Sequence, residues 1–282
     1  MSQLEAAEIE AQAARALAED WRGSDLTGAA VVDSGQLCRA QVVAREEGVL
    51  CGVALAREVF RQVDPAISFT QLMRDGDPLS AGSLPIRVEG AAQGILVGER
   101  TALNFLQHLS GIASLTAKFV ALASPYGVEI LDTRKTIPGL RVLEKYASRT
   151  GGARNHRMGL YDAILIKDNH SDLAGGLAAA LGRASARHPA RDLEVEVRSK
   201  EELEVALQFG VGRVLLDNFT PEAAAAAVKL VEGRTEIEIS GGVDLDNLSL
   251  YAAAHPNYIS VGRITQSAPA LDLAMKVVLG GA

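Results

Sequence analysis

Cysteine is nearly absent from these 282 residues. Cys38 and Cys51 are too few for a disulfide framework and fit reduced thiols in a cytosolic enzyme. Aromatic residues are scarce at 4%, so a core has to be built from Leu, Val, Ile and Ala. There is no basic excess either. A net charge of −7 argues against a nucleic-acid surface, because phosphate backbones reward a basic face. No uninterrupted run approaches the ~18 to 20 apolar residues of a membrane span. The first twenty residues are acidic and lack the apolar segment of a signal peptide. A cytoplasmic protein with neither nucleic-acid nor membrane partners is the expectation.

Several chemistries are missing as well. The five histidines, His108, His156, His170, His188 and His255, are scattered, and no Cys/His spacing suits zinc. There is no G-x-S-x-G nucleophile elbow. No G-x-x-x-x-G-K-S/T and no G-x-G-x-x-G follows an apolar strand pattern. Covalent catalysis, P-loop nucleotide use and dinucleotide binding are therefore disfavoured.

What is present is a local concentration of positive charge. From Arg134 to Lys167 there are eight Lys/Arg and two acids, Glu144 and Asp162. The cations do not follow one helical stripe, as a solvated helix face would. They fall in three groups: Arg134-Lys135, Arg154 to Arg157 with His156, and Lys167. Two groups sit where an apolar strand pattern ends, which is where α/β folds build their sites. An anion site is the sharper reading of this stretch.

Taken in order, the pattern predicts a helix over 4–21, a strand over 36–45, a helix over 54–63, and strands over 67–73, 85–88 and 94–97. This mixture has no regular βα beat, so residues up to about 112 read as an α+β domain. A long helical pattern covers 99–119, with Arg100 in its first turn. A cation there opposes the helix dipole and would welcome an anion, although an exposed Arg paired with Glu99 is an equal reading. From residue 128 the rhythm changes. Apolar strands over 128–131, 163–166, 193–197, 214–216, 237–239 and 258–261 alternate with helical segments, the βα period of a barrel or doubly wound sheet.

The strand ends carry the polar groups. Glu194 and Glu196 alternate with valines that suit a helix-covered outer face, so both carboxylates are expected to point inward. Asp217 closes its strand. Ser240-Gly241-Gly242 and Val261-Gly262-Arg263 are turns able to offer backbone N–H groups to phosphate. Cations, inward acids and bare turns together suit a polyanionic aromatic or sugar-phosphate substrate. The acids could meet ribose hydroxyls or a Mg²⁺ carried by pyrophosphate.

The motifs DTRKT, PGLR, LEKYA, GG followed by NHR, LIKDNH, EVEV, LLDN and SGG, with GERTALNFLQHLSGIAS upstream, resemble quinolinate phosphoribosyltransferase over nearly the full chain. The resemblance implies an N-terminal open-faced α/β sandwich over 1–112, with the tail 268–282 returning to it, and a C-terminal incomplete α/β (TIM-like) barrel over 113–267. It implies transfer of phosphoribosyl from phosphoribosyl pyrophosphate to quinolinate with decarboxylation, and Mg²⁺ arriving with the pyrophosphate. Arg134, His156, Arg157 and Lys167 fall on the quinolinate pocket. Lys135, Glu196 and Asp217, with Ser240, Gly241, Gly242, Val261, Gly262 and Arg263 as phosphate loops, fall on the ribosyl-pyrophosphate side, and Thr133 is a further substrate-binding candidate. Lys135, Lys167, Glu196 and Asp217 are the catalytic candidates. Arg100 is expected from the neighbouring subunit of a homodimer, with further pairing into hexamers left open. Ala153, Arg263 and Gln266 depart from the family's commoner residues. A same-fold transferase acting on another acidic base such as nicotinate is the alternative, and a non-catalytic anion carrier is a third reading.

Overall fold

The computed structural model describes residues 4–278 and divides into two compact units. The first contains residues up to Leu115, Val142–Gly151 and the segment from Ala268. The second contains Thr116–Arg141 and Gly152–Ser267.

In the first unit, α1 (Ala6–Asp20) and α2 (Leu26–Val31) precede β1 (Leu37–Ala44), β2 (Gly48–Val49) and α3 (Val53–Val63). β3 (Ser68–Gln71), β4 (Pro78–Leu79) and β5 (Ile86–Ala91) follow, then the long helix α4 (Ala92–Ala123) and later α5 (Arg141–Thr150). The last described strand of the chain pairs antiparallel with β1, with Val42 opposite Met275. The sheet carries β1 between that strand and β5, with β3 beyond β5. Alternation along β1 turns Ala40, Val42 and Ala44 into a core shared with Val59, Phe60, Ile86, Leu103 and Leu106.

Residues 94–97 correct the sequence reading. They are not a strand but the opening of α4. A short apolar run cannot by itself separate strand from buried helix. Here tertiary packing decides: a Cβ at Gly98 would meet the Phe60 ring at 2.7 Å, so the helix lies close against α3. Because α4 begins at Ala92, Arg100 lies roughly two turns in and not in the first turn. The field of the helix dipole fades beyond the first turn and does not act on it. By length and composition the segment Ala92–Tyr126 could cross a membrane, but half of its apolar window is buried inside the protein, with Ile95, Leu103, Leu106 and Leu109 in the interior.

The second unit is a six-stranded parallel sheet. Its strands are β6 (Glu129–Leu131), β7 (Ile164–Ile166), β8 (Leu193–Val197), β9 (Arg213–Asp217), β10 (Glu236–Ser240) and β11 (Tyr258–Ser260). The intervening helices are α6 (Asp168–Ala174), α7 (Leu177–Ser185), α8 (Lys200–Phe209), α9 (Pro221–Val231) and α10 (Leu248–Ala252), with α11 (Arg263–Gln266) after β11. The chain's final described strand is β12 (Leu273–Val278). The strand order is β6-β11-β10-β9-β8-β7. Strands β7 to β11 neighbour one another in sequence order, and β11 returns beside β6. No pairing joins β6 to β7 among the described residues, so the barrel is open there.

Local chemistry agrees with each start signal. Ser199 accepts the Glu202 N–H at 3.3 Å and Thr220 the Ala223 N–H at 3.2 Å, capping α8 and α9. Register then lines up the inward residues in rows. Glu194 lies beside Arg213 and Arg213 beside Glu236. One step along, Glu196, Leu215, Glu238 and Tyr258 are neighbours, and beyond them Asp217 meets Ser240.

Candidate active site

Every strand of the second unit delivers its carboxyl end to one cavity of about 720 Å³. Each of the predicted site residues lines it except Arg100, which is exposed on α4. The wall is built from the loops inward.

After β6 the chain is held by Asp132, which is fully buried. Its carboxylate accepts the Asn155 side-chain amide at 2.6 Å and the His156 N–H at 2.9 Å. This ties the Thr133–Lys135 loop to the His156-Arg157 segment. Arg141 adds a second tie, donating to Thr136 Oγ1 at 3.1 Å, to the Met158 carbonyl at 3.3 Å and to the Arg134 carbonyl at 3.4 Å. The loop is also joined to the end of β11: Thr265 Oγ1 donates to the Lys135 carbonyl at 2.7 Å, and a Cβ at Gly262 would sit 3.0 Å from the Lys135 stem.

Two guanidinium groups converge on this wall. Arg157 donates to the Ala163 carbonyl at 3.0 Å. Burial, and then the neighbouring Arg134 cation, lower its pKa from the ordinary arginine value. Arg134 Nε is buried with no hydrogen-bond partner among the described residues. Two like charges held together, one with an unmet donor, make a receptor for an anion with more than one acceptor.

On β8, Glu196 is 9% exposed, and its carboxylate lies 3.4 Å from Lys167 Nζ and 3.5 Å from the Asp168 N–H. On β9, Asp217 is steadied by the Asn218 amide at 2.8 Å. Asn218 has φ +57 and donates its N–H to the Ser240 carbonyl at 2.9 Å, bending the chain toward the next turn. Gly241 there has φ +96, and a Cβ on it would collide with the Asn218 side chain. Only glycine fits both the angle and the space, leaving bare main chain at the rim.

Four residues depart from expectation or were missed. Arg154, grouped by sequence with the site cations, turns away. Its segment runs as a short bridge beside β6, and its guanidinium meets Glu129 at 3.1 Å and the Tyr258 hydroxyl at 3.1 Å. Asp132 and Arg141 act through loops, a role that spacing does not reveal. Glu238 lines the cavity and is wholly buried, yet only the turn after it was singled out. Its signal was legible: Glu236-Ile237-Glu238-Ile239 repeats the alternation of Glu194-Val195-Glu196-Val197.

His156, Glu194 and Glu238 place their polar atoms within 4.8 Å of one another. They come from three separate elements, which is why no local spacing announced them. The Arg213 guanidinium lies 3.5 Å from Glu238 and brings a cation to this cluster. Burial, and next the Glu194 carboxylate, push Glu238 up to about 7.

The chain matches the family described as quinolinate phosphoribosyl transferase, C-terminal domain, over residues 112–276, and the corresponding N-terminal domain over 25–110. A relative from Bacillus subtilis (strain 168), the probable nicotinate-nucleotide pyrophosphorylase (carboxylating), is 40% identical over 93% of this chain and 90% of its own length. The nicotinate-nucleotide pyrophosphorylase (carboxylating) of Mycobacterium leprae (strain TN) is 41% identical over 93% and 94%. The solved structure of the nicotinate-nucleotide pyrophosphorylase from Francisella tularensis superposes with a TM-score of 0.93 at 39% identity, covering 98% of both chains.

Proposed function

The chain belongs to the quinolinate phosphoribosyltransferase family, and on that basis we propose how its cavity transfers phosphoribosyl from phosphoribosyl pyrophosphate to quinolinate. The products are nicotinate mononucleotide, pyrophosphate and CO₂, a step of de novo NAD biosynthesis. The observation that carries the reading is the sorting of charge in one cavity. Arg134, Arg157 and Lys167 are gathered with Glu196, Asp217 and the side-chain-free turns at Gly241-Gly242 and Gly262.

Quinolinate has two adjacent carboxylates. Arg134 and Arg157 present planar forks that suit them, and the unmet Arg134 Nε is a donor waiting for one. An anion between the two guanidiniums also relieves their mutual repulsion. The bare turns suit the phosphates of the second substrate. With both held, the pyridine nitrogen attacks the anomeric carbon, the C–O bond to pyrophosphate breaks, and positive charge develops on the ribosyl ring. Glu196 and Asp217 stabilise that charge as fixed anions. The new N–C bond leaves the pyridine nitrogen cationic. The bond from C2 to its carboxylate then breaks, CO₂ departs, and C2 takes a proton. Catalysis is positioning and electrostatics, with no covalent enzyme intermediate.

Magnesium enters this scheme as a proposal, carried by the pyrophosphate and with no direct protein ligand. Glu196 and Asp217 are hard oxygen groups that suit its water shell. When bound, the ion neutralises charge on the leaving pyrophosphate. The exposed Arg100 is proposed to serve the cavity of a second copy in a homodimer. The two free thiols, Cys38 and Cys51, fit a reducing compartment, and we place the enzyme in the cytoplasm.

Incubation with quinolinate, phosphoribosyl pyrophosphate and Mg²⁺ should release nicotinate mononucleotide and CO₂ in equal amounts. Consumption of nicotinate with quinolinate ignored would overturn the assignment. For the shared site, inactive Arg100→Ala and Lys167→Ala subunits are mixed; activity should return in the heterodimer, and no return rules the sharing out.

A further inference from the structure

Both ring nitrogens of His156 are engaged by the protein. Nδ1 accepts the Arg157 backbone N–H at 2.7 Å, so it carries a lone pair and no proton. Nε2 lies 3.3 Å from Glu194 Oε1 and 3.6 Å from Glu238 Oε2. An imidazole accepting at Nδ1 is neutral and has one hydrogen to donate, at Nε2. Two buried carboxyl groups therefore face a single donor.

Few other groups face them. From β9, Arg213 Nη1 is 3.5 Å from Glu238 Oε2, but the same guanidinium is shared with Glu236, 3.0 Å from its Nη2. From β11, Ser260 faces Glu238. On the cavity side, Arg157 is the cation that feels Glu194. Glu238 Oε1 has no hydrogen-bond partner among the described residues. One shared guanidinium does not balance two ionised carboxylates at this separation, and a dry interior penalises the second charge heavily.

We infer that Glu194 and Glu238 are positioning residues that share one proton behind His156, locking its imidazole as the neutral Nε2–H tautomer so that Nδ1 fixes the Arg157 backbone at the cavity wall. Glu238 is the member that keeps the proton. Burial, and next the Glu194 charge, push its carboxyl up, whereas at Glu194 burial is outweighed by the contacts with His156, Arg213 and Glu238 taken together. Glu238 borders the cavity and Glu194 stands behind the ring, and the pair acts through the ring and the Arg157 amide. Its consequence for turnover rests on the function proposed above, but the state of the ring does not.

The test reads the ring directly. In protein labelled with ¹⁵N-histidine, the His156 signals are identified by their loss in His156→Gln. At pH 6 to 7, one nitrogen (Nδ1) should be unprotonated and the other (Nε2) protonated. Two protonated nitrogens, or the opposite tautomer, would overturn the inference. The two carboxamide variants then separate the roles. Glu238→Gln replaces a protonated acid by an uncharged group of the same shape, and the tautomer should persist. Glu194→Gln removes the anionic acceptor, and kcat/KM for quinolinate should fall about tenfold or more below that of Glu238→Gln, chiefly through KM. Equal losses in the two variants would also overturn it. If Glu194→Gln does not fold, the wild-type ring signals decide alone. Those signals remain readable if quinolinate is not a substrate, so the two failures are distinguishable.

Discussion

The antiparallel sheet of the first unit turns Ala40, Val42 and Ala44 of β1, with Ile86 and Val88 of β5, into an apolar core, whereas the parallel sheet of the second turns Glu194, Glu196, Arg213 and Glu238 inward. Both obey the same period-2 alternation. The difference lies in what the inward position is for. Apolar burial stabilises by roughly 25 cal/mol per Å², and nothing in that core has to be matched in charge. A buried acid destabilises unless neighbours compensate it. Glu196 has Lys167, Glu194 has the His156 ring, and Glu238 has Arg213 together with a retained proton. One interior holds the chain folded; the other holds charge ready for a ligand.

This contrast can be broken from either side. The largest effect is expected on the charged side. Arg157→Ala should lower kcat/KM for quinolinate by about a hundredfold or more, since truncating one partner of a buried charged contact costs roughly 2 to 5 kcal/mol. The circular dichroism spectrum and thermal midpoint should stay near wild type; a collapsed fold would mean that the residue serves stability. On the apolar side, Leu106→Ala removes a fully buried side chain and should cost about 3 to 5 kcal/mol in denaturant unfolding. Its quinolinate KM, measured where the variant is folded, should not move.

A smaller effect sharpens the comparison through pH. An unfolded glutamate titrates near ~4.3, but Glu238 is pushed up to about 7. Between those values the folded protein holds a proton that the unfolded chain has released, so this group's contribution to stability falls as pH rises through the window. The loss is on the order of 3 kcal/mol. Glu238→Gln cannot ionise. Its stability relative to wild type should therefore rise between about pH 5 and pH 8. A constant difference across that range would mean that Glu238 is ionised throughout. Smallest is Thr220→Ala, which loses the α9 cap and should cost about 1 kcal/mol in urea unfolding while kcat and KM hold.

Much of the second unit was legible because its signals are local. Glu194-Val195-Glu196-Val197 alternates, and the predicted βα beat appears as β8, β9, β10 and β11. The cations ending β6 and β7 also announced themselves by position. What stayed hidden depends on distant partners. Residues 94–97 read as a strand because the reason for the helix, the Phe60 ring under Gly98, lies far away in sequence. The expected opposition of Arg100 to the helix dipole depends on that same boundary. Arg154 and Arg157 are three residues apart and look alike in sequence, but pairing beside β6 sends one to Glu129 and leaves the other at the cavity. Glu238 could have been found by the rule that found Glu194 and Glu196. The clustering of His156, Glu194 and Glu238 could not, since three elements have to meet.

The most direct measurement compares quinolinate with nicotinate as substrate for wild type and Arg157→Ala, under identical phosphoribosyl pyrophosphate and Mg²⁺. A cavity built for two carboxylates should favour quinolinate in kcat/KM by about a hundredfold or more, and the variant should lose most of that preference. Equal use of both bases by wild type, or a preference that survives loss of the Arg157 guanidinium, would contradict the account.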